Sequence, residues 1–257
     1  MARVVLLDQY AGLGGGQRIL MDLAAAFRAA GHAVRVFLPG DGAAEKALRE
    51  DGFEVLSLPL PPMTAGRKPL AEKLGYPLHA RRAARAVAEA LARGPADLLY
   101  ANAPRCFLPA VWAGRRLGTP VACGLHLIFT GGPERRLVRW CFGQPQVRRA
   151  IFCSRAVAAP FERDCGEKGL LVPYWVSPAF LETPPGREAA RERFGLSQAD
   201  VAVGVIGRIS RTKGQRLFLE ALSPLLGEFP ALRLLVAGAA DFEDPQEEAR
   251  VRELAEA

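Results

Sequence analysis

Apolar residues along the chain follow two rhythms: short unbroken runs, and stretches in which they recur every third or fourth position. Residues 4–7 (Val-Val-Leu-Leu) form a short apolar run, as expected of a strand covered on both faces of a parallel sheet. A glycine-rich turn follows at 12–17. Ile19, Leu20, Leu23, Ala24 and Phe27 then fall at helical spacing, and Gly31 ends that helix as a C-terminal cap does. A second strand is predicted at 34–38, a short helix at 45–51 and a third strand at 55–58. This βαβαβ opening implies a doubly wound parallel sheet, because the crossovers are right-handed. A proline-rich loop spans 59–69, and a helix over 70–93 carries Leu70, Leu74, Leu78, Val87 and Leu91 as its apolar stripe. Strands are expected at 98–101, 121–125, 151–153 and 170–172, with helices around 106–117 and 134–142.

The pattern breaks at 173–200, where Pro173, Pro178, Pro184, Pro185 and Gly186 interrupt it. Such composition marks a linker. A first domain is therefore placed at 1–180 and the start of a second at 201–257. The second opens with a strand at 201–206, a helix at 214–227, a strand at 232–236 and a further helix at 246–257. Two strands and two helices make a small core, so this domain is expected to be unfinished.

Composition adds little to this picture except through charge and cysteine. Residues 1–180 carry a net charge of +10 and residues 181–257 a net −3. The basic excess favours anionic partners: phosphorylated substrates, nucleic acid or an anionic membrane. Aromatic residues are not interleaved with the basic ones as single-strand stacking requires, so no nucleic acid is expected. The helix at 70–93 bears Lys73, Arg81, Arg82, Arg85 and Arg93, with Arg67, Lys68, Arg115 and Arg116 expected nearby. A basic amphipathic helix can lie on anionic lipid; the alternative is a solvated helix packed on its own sheet. The five cysteines are scattered and form no C-x-x-C, against a disulfide framework or zinc site. The N-terminus lacks a signal-peptide pattern and no apolar run reaches the ~20 residues of a membrane span, so a cytoplasmic location is expected.

Three positions carry candidate chemistry. Gly14-Gly15-Gly16-Gln17 lies between a strand and a helix, where amide N–H groups and the helix dipole favour phosphate. Gln17 stands where the dinucleotide fingerprint needs glycine, and the second strand ends without a ribose-binding acid. No Gly-Lys-Ser/Thr follows, so the loop is neither of NAD type nor a P-loop. In Gly207-Arg208-Ile-Ser-Arg-Thr-Lys213-Gly214-Gln215, Arg208 offers a fork to phosphate oxygens and Lys213 a mobile point charge. His126 ends a predicted buried strand, where ligands bind in open α/β sheets. Gly-x-Ser-x-Gly, His-Glu-x-x-His and metal-type carboxylate clusters are absent from the sequence.

Taken in order, these segments resemble family 4 retaining glycosyltransferases of the GT-B fold. The likeness runs through Gly14-Gly-Gly-Gln-Arg-Ile-Leu-Met-Asp-Leu23, Ala30-Gly-His-Ala-Val-Arg-Val36, Asp97-Leu-Leu-Tyr-Ala-Asn102 and Gly118-Thr-Pro-Val121. It continues through His126, Cys153-Ser-Arg-Ala-Val157, Val172-Pro-Tyr-Trp-Val-Ser-Pro-Ala-Phe180 and Val205–Gln215. The resemblance implies two Rossmann-like doubly wound domains, the first on the acceptor side and the second binding a nucleotide-diphosphate sugar. It implies donor diphosphate held by Arg208 and Lys213, and Gly14, Gly15 and Gly16 near the donor phosphate and sugar. His126 would be at the reacting sugar and Asn102 on the acceptor side. It implies no metal and no cofactor beyond the donor co-substrate, and a glycan or lipid-linked acceptor. Electrostatic stabilisation of the leaving diphosphate would be the main catalytic term.

The chain departs from that family's pattern at four places. Gln17 replaces an acid, Leu127 follows the strand-end histidine, and Tyr174-Trp175 replaces Asn-Gly. The paired glutamates, eight apart, that bind donor sugar and ribose are missing, Glu247, Glu248 and Glu256 being unsuited. The chain as it stands is therefore expected to be truncated and inactive. Two alternatives stay open: a GT-B-like module that binds an anionic surface without catalysis, and a nucleotide-sugar epimerase.

Overall fold

The computed structural model describes residues 1–62, 70–92, 94–176, 181, 186–240 and 246–256. Arg67, Lys68, Arg93 and the side chain of Leu70 lie outside the described residues, as do residues 63–69 of the proline-rich loop and residues 177–180 and 182–185 of the predicted linker. The described residues form two compact units, one running from Met1 to Val176 and the other from Leu181 onward.

The first unit is a seven-stranded, wholly parallel sheet. Its elements in chain order are β1 (Arg3–Leu7), α1 (Gly15–Ala29), β2 (Ala33–Leu38), α2 (Ala43–Glu50), β3 (Glu54–Ser57), α3 (Leu70–Ala92) and β4 (Leu98–Ala101). There follow α4 (Pro104–Leu117), β5 (Val121–Leu125), α5 (Gly132–Gly143), β6 (Val147–Phe152), α6 (Arg155–Ala158), α7 (Glu162–Cys165) and β7 (Gly169–Leu171). The strand order is β3-β2-β1-β4-β5-β6-β7. The sequence direction therefore reverses between β1 and β4, and Leu7 lies between Phe37 and Ala101 in register.

The period-2 geometry of β1 splits its side chains between two cores. Val5 and Leu7 join the layer packed with Val87, Leu91, Phe107 and Val111 of α3 and α4. Val4 and Leu6 join the layer packed with Leu20, Ala24 and Leu48 of α1 and α2. Covered on both faces, the inner strands need near-continuous apolar runs, and β5 is buried at every position.

Several elements differ from the sequence expectation. β6 begins at Val147, four residues before the predicted strand; a register shift opposite Val121/Ala122 accommodates exposed Arg148 and Arg149, which interrupt the apolar run. In α3 the inward face is Ala80, Ala83, Ala84, Val87 and Leu91. Leu74 and Leu78, assigned to the buried stripe, are instead 72% and 54% exposed. Small alanines let α3 approach α4 closely, and the large leucines are left outside with Arg81, Arg82 and Arg85. Within the predicted linker, α8 (Arg187–Arg193) is a helix.

The second unit contains β8 (Val201–Ile206), α9 (Gln215–Leu222), β9 (Leu232–Ala237) and α10 (Glu247–Glu256), with β8 and β9 paired in parallel. The helix predicted over 214–227 is α9 followed by a 3-10 turn at Ser223–Leu226. Ile209, Leu219 and Val251 form its small core.

Candidate active site

In an open parallel sheet the carboxyl ends of the strands on either side of the order reversal splay apart and leave a crevice. Here that crevice lies between the ends of β1 and β4, and Asp8 and Asn102 are the residues that immediately follow those strands. Both are buried. The Asp8 carboxylate accepts from the Gln17 side-chain amide at 2.8 Å, from the Tyr10 backbone N–H at 3.0 Å and from Asn102 Nδ2 at 2.6 Å. Burial raises the Asp8 pKa, and the donations from Asn102, Gln17 and the Tyr10 and Gln9 amides oppose that rise.

Asn102 has both amide hydrogens engaged, one on Asp8 and one on the Gly16 carbonyl at 3.0 Å. A carboxylate and a carbonyl only accept, so the amide nitrogen must face them. Asn102 Oδ1 therefore faces His126 Nε2, 3.0 Å away, and accepts a hydrogen bond from its N–H. That leaves Nδ1 of a neutral His126 as the unprotonated nitrogen. It is buried and has no hydrogen-bond partner among the described residues. Burial lowers the His126 pKa, which favours this neutral form. The ring stacks on Tyr174, with centroids 5.6 Å apart and planes at 22°. The neighbouring Trp175 donates from Nε1 to Asp22 Oδ2 of α1 at 2.9 Å, so the Tyr174-Trp175 pair straps the chain after β7 back over the strand ends.

The glycine turn leads into α1 without a side-chain cap, and no acid occupies the first turn. A Cβ placed on Gly15 or Gly16 would meet nothing within 4 Å, and neither residue has a left-handed φ. Among the described residues no contact therefore demands glycine at these two positions, although glycine is a poor helix former. An N-terminal turn without a side-chain cap, with glycines leaving open space at their Cβ positions, suits an anion. Gly14 is different, since a Cβ there would lie 2.9 Å from Gln17 Oε1. Asp8 also accounts for Gln17: an acid at that position would put two carboxylates in hydrogen-bond contact.

In the second unit, Arg208 and Lys213 are exposed on the loop joining β8 to α9. Buried Gln215 fixes that loop. Its amide donates to the carbonyls of Gly207 and Arg208 at 3.3 and 2.9 Å, and its oxygen accepts from the Ser210 N–H at 3.3 Å. Gly214 caps α9 at φ 75°, a conformation that disfavours any side chain. The structure thus brings Gly14, Gly15, Gly16, Gln17, Asn102 and His126 together around Asp8, and places Arg208 and Lys213 together in the other unit.

Asp8 is the residue that sequence reasoning missed. Its signal was an acid closing an apolar strand at the end where ligands bind. Among the described residues no group of three or more His, Cys, Asp or Glu side chains could hold a metal. No helix among them is long and apolar enough to cross a membrane.

Residues 14–175 match the family model described as a glycosyl transferase 4-like domain. No protein of curated function matches the sequence. Among solved structures, the chain is similar to Anabaena HepE in complex with UDP and glucose, at 20% identity and a TM-score of 0.76 over 100% of this chain and 66% of that one. It is similar to a glycosyltransferase from Rickettsia africae at 16% identity and a TM-score of 0.69, covering 99% of this chain and 65% of that one. It is also similar to the sucrose-phosphate synthase of Thermosynechococcus elongatus at 16% identity and a TM-score of 0.70, covering 99% and 68%. At these identities the likeness is one of fold. The chain spans 66% and 65% of the lengths of the first two structures.

Proposed function

The chain belongs to the glycosyl transferase 4-like family and has the α/β fold of GT-B glycosyltransferases, and from that premise we propose that it serves transfer of a sugar from a nucleotide-diphosphate donor to a glycan or lipid-linked acceptor, with retention at the anomeric carbon. The observation that carries this reading is the strand-end crevice, where Asn102 links the buried Asp8 carboxylate to His126, whose Nδ1 has no partner among the described residues, and to the Gly16 carbonyl in the uncapped first turn of α1. A sugar hydroxyl suits the nitrogen and a phosphate suits the amides. The complexes of Anabaena HepE with UDP and with UDP-glucose support a UDP-sugar as the first donor to try.

In this reading His126 orients the sugar by accepting a hydrogen bond, and the N-terminus of α1 faces the donor phosphate. Arg208 and Lys213 hold the diphosphate and neutralise the charge that develops as it leaves. Neither step calls on a metal ion. Asn102 serves the acceptor side less directly than the resemblance implied, because its amide is committed to Asp8, Gly16 and His126. The outer face of α3, with exposed Leu74 and Leu78 beside Arg81, Arg82 and Arg85, suits peripheral contact with an anionic membrane that carries a lipid-linked acceptor.

The test is isothermal titration of the full chain with UDP-glucose and UDP, repeated on Arg208→Ala and Lys213→Ala. The reading expects weaker binding of both ligands in each variant. Unchanged binding in both variants overturns the diphosphate assignment. Where transfer is measured, the anomeric configuration of the product by proton NMR decides retention.

A further inference from the structure

Asp8 touches neither of the groups proposed to meet the donor, yet it is bonded to the residues that hold both. We infer that Asp8 is a positioning residue which, acting through Asn102, fixes the tautomer of His126 so that Nδ1 is presented as an acceptor to a hydroxyl of the donor sugar. This deepens the reading given above and rests on it for the identity of the ligand.

The hydrogen inventory of Asn102 decides which end of its amide meets His126. Asn102 could in principle present either end of its amide to His126. Asp8 Oδ2 at 2.6 Å and the Gly16 carbonyl at 3.0 Å both require the nitrogen, so only the oxygen remains for the imidazole. The bond to Asp8 is charge-assisted, a stronger class than that to the carbonyl, and so contributes most to the choice. With Nε2–H donating to Asn102, Nδ1 carries a lone pair and no proton. The face of the ring is covered by Tyr174 and its Nε2 edge by Asn102. Gly124 admits this packing: a Cβ there would lie 2.2 Å from Tyr100 Oη and 3.4 Å from His126 Nε2. Nδ1 is thus the ring nitrogen without a partner among the described residues, and as an acceptor its lone pair suits a hydroxyl. The same Asn102 amide holds the Gly16 carbonyl, so Asp8 also ties the phosphate-facing turn to the histidine.

The experiment uses the full chain labelled with nitrogen-15 at its three histidines, with His126→Gln to assign the His126 ring signals. The wild type is expected to show one tautomer, with Nε2 protonated and Nδ1 bare, and the Nδ1 signal is expected to shift on addition of UDP-glucose. Asn102→Ala removes the acceptor, so the two ring nitrogens should move toward tautomer averaging. Asp8→Asn, close in size and shape, should move them the same way by a smaller amount. The double variant should match Asn102→Ala alone, because Asp8 acts through Asn102.

The ratio of UDP-glucose to UDP affinity is expected to fall about 5-fold or more in Asn102→Ala. A protonated Nδ1 in the wild type overturns the inference, as do ring signals unmoved by Asp8→Asn or additive effects in the double variant. If the ring signals behave as expected but neither UDP nor UDP-glucose binds the wild type, the positioning holds and the reading of a UDP-sugar donor fails. Thermal melts of each variant separate loss of fold from loss of positioning.

Discussion

Gly15 and Gly16 make a direct prediction because stability and binding should move in opposite directions. Each lies in the first turn of α1 at an ordinary φ, with open space where a Cβ would go. Replacing either by alanine removes backbone freedom from the unfolded chain and improves helix propensity, for about 0.5–1 kcal/mol of stabilisation. In a protein of this size that raises the melting temperature by about 1–4 °C. On the proposed reading the same methyl groups crowd a phosphate held at the N-terminus of α1. Overpacking of that kind costs about 1–3 kcal/mol, or roughly 5- to 150-fold in Kd. Gly14→Ala is the control, since its Cβ would press on Gln17 Oε1 and disturb the Asp8 contact; it should lose stability. The assay pairs differential scanning calorimetry with titration of UDP-glucose. More stable Gly15→Ala and Gly16→Ala variants that bind UDP-glucose as the wild type does would refute the argument that these glycines make room for a ligand. A loss of stability in both would show that the protein itself needs them.

Other predictions concern charge and surface. Lys213→Ala should weaken UDP and UDP-glucose by a similar factor, of the order of tenfold, as titration would show. A larger loss for UDP-glucose alone would move Lys213 to the sugar. Burial holds His126 below the ordinary imidazole value of 6.5, so the folded state binds fewer protons than the unfolded chain there. Stability present above that value is then lost as pH falls through and below it. Burial raises Asp8 above 3.8, so its contribution has the opposite sign and stability is lost as pH rises past that value. Urea unfolding across pH should show His126→Gln flattening the first dependence and Asp8→Asn the second. Co-sedimentation with anionic vesicles should fall when Leu74 and Leu78 become serine and Arg81 and Arg82 become alanine, with about 1 kcal/mol for each arginine and little change in the melting temperature. Equal binding to neutral vesicles would discard the electrostatic part.

The sequence was most informative where one local rule decided the outcome. Apolar runs flanked by glycine and proline placed the inner strands, because a strand covered on both faces has little room for polar residues. Element ends and short helices were less legible. β6 hides its first residues behind Arg148 and Arg149, and α7, only Glu162–Cys165, is too short for a helical period to register. For α3, large apolar residues were taken as the buried stripe, whereas close packing against α4 selects alanine. Gln17 and His126 stood out by position and Asn102 through the family resemblance, but the carboxylate joining them did not. Its contact to Asn102 spans 94 residues of sequence and depends on β1 and β4 being neighbours. Strand order, which no periodicity encodes, therefore had to be known before Asp8 could be recognised.

The central claim is that the turn before α1 and the strand-end histidine serve one ligand. Chemical-shift mapping of backbone amides and histidine ring nitrogens during titration with UDP-glucose tests it most directly. The account predicts that the amides of Gly15, Gly16 and Gln17 shift together with His126 Nδ1, along one saturation curve. Saturable binding of UDP-glucose that leaves those amides and His126 unmoved would contradict it.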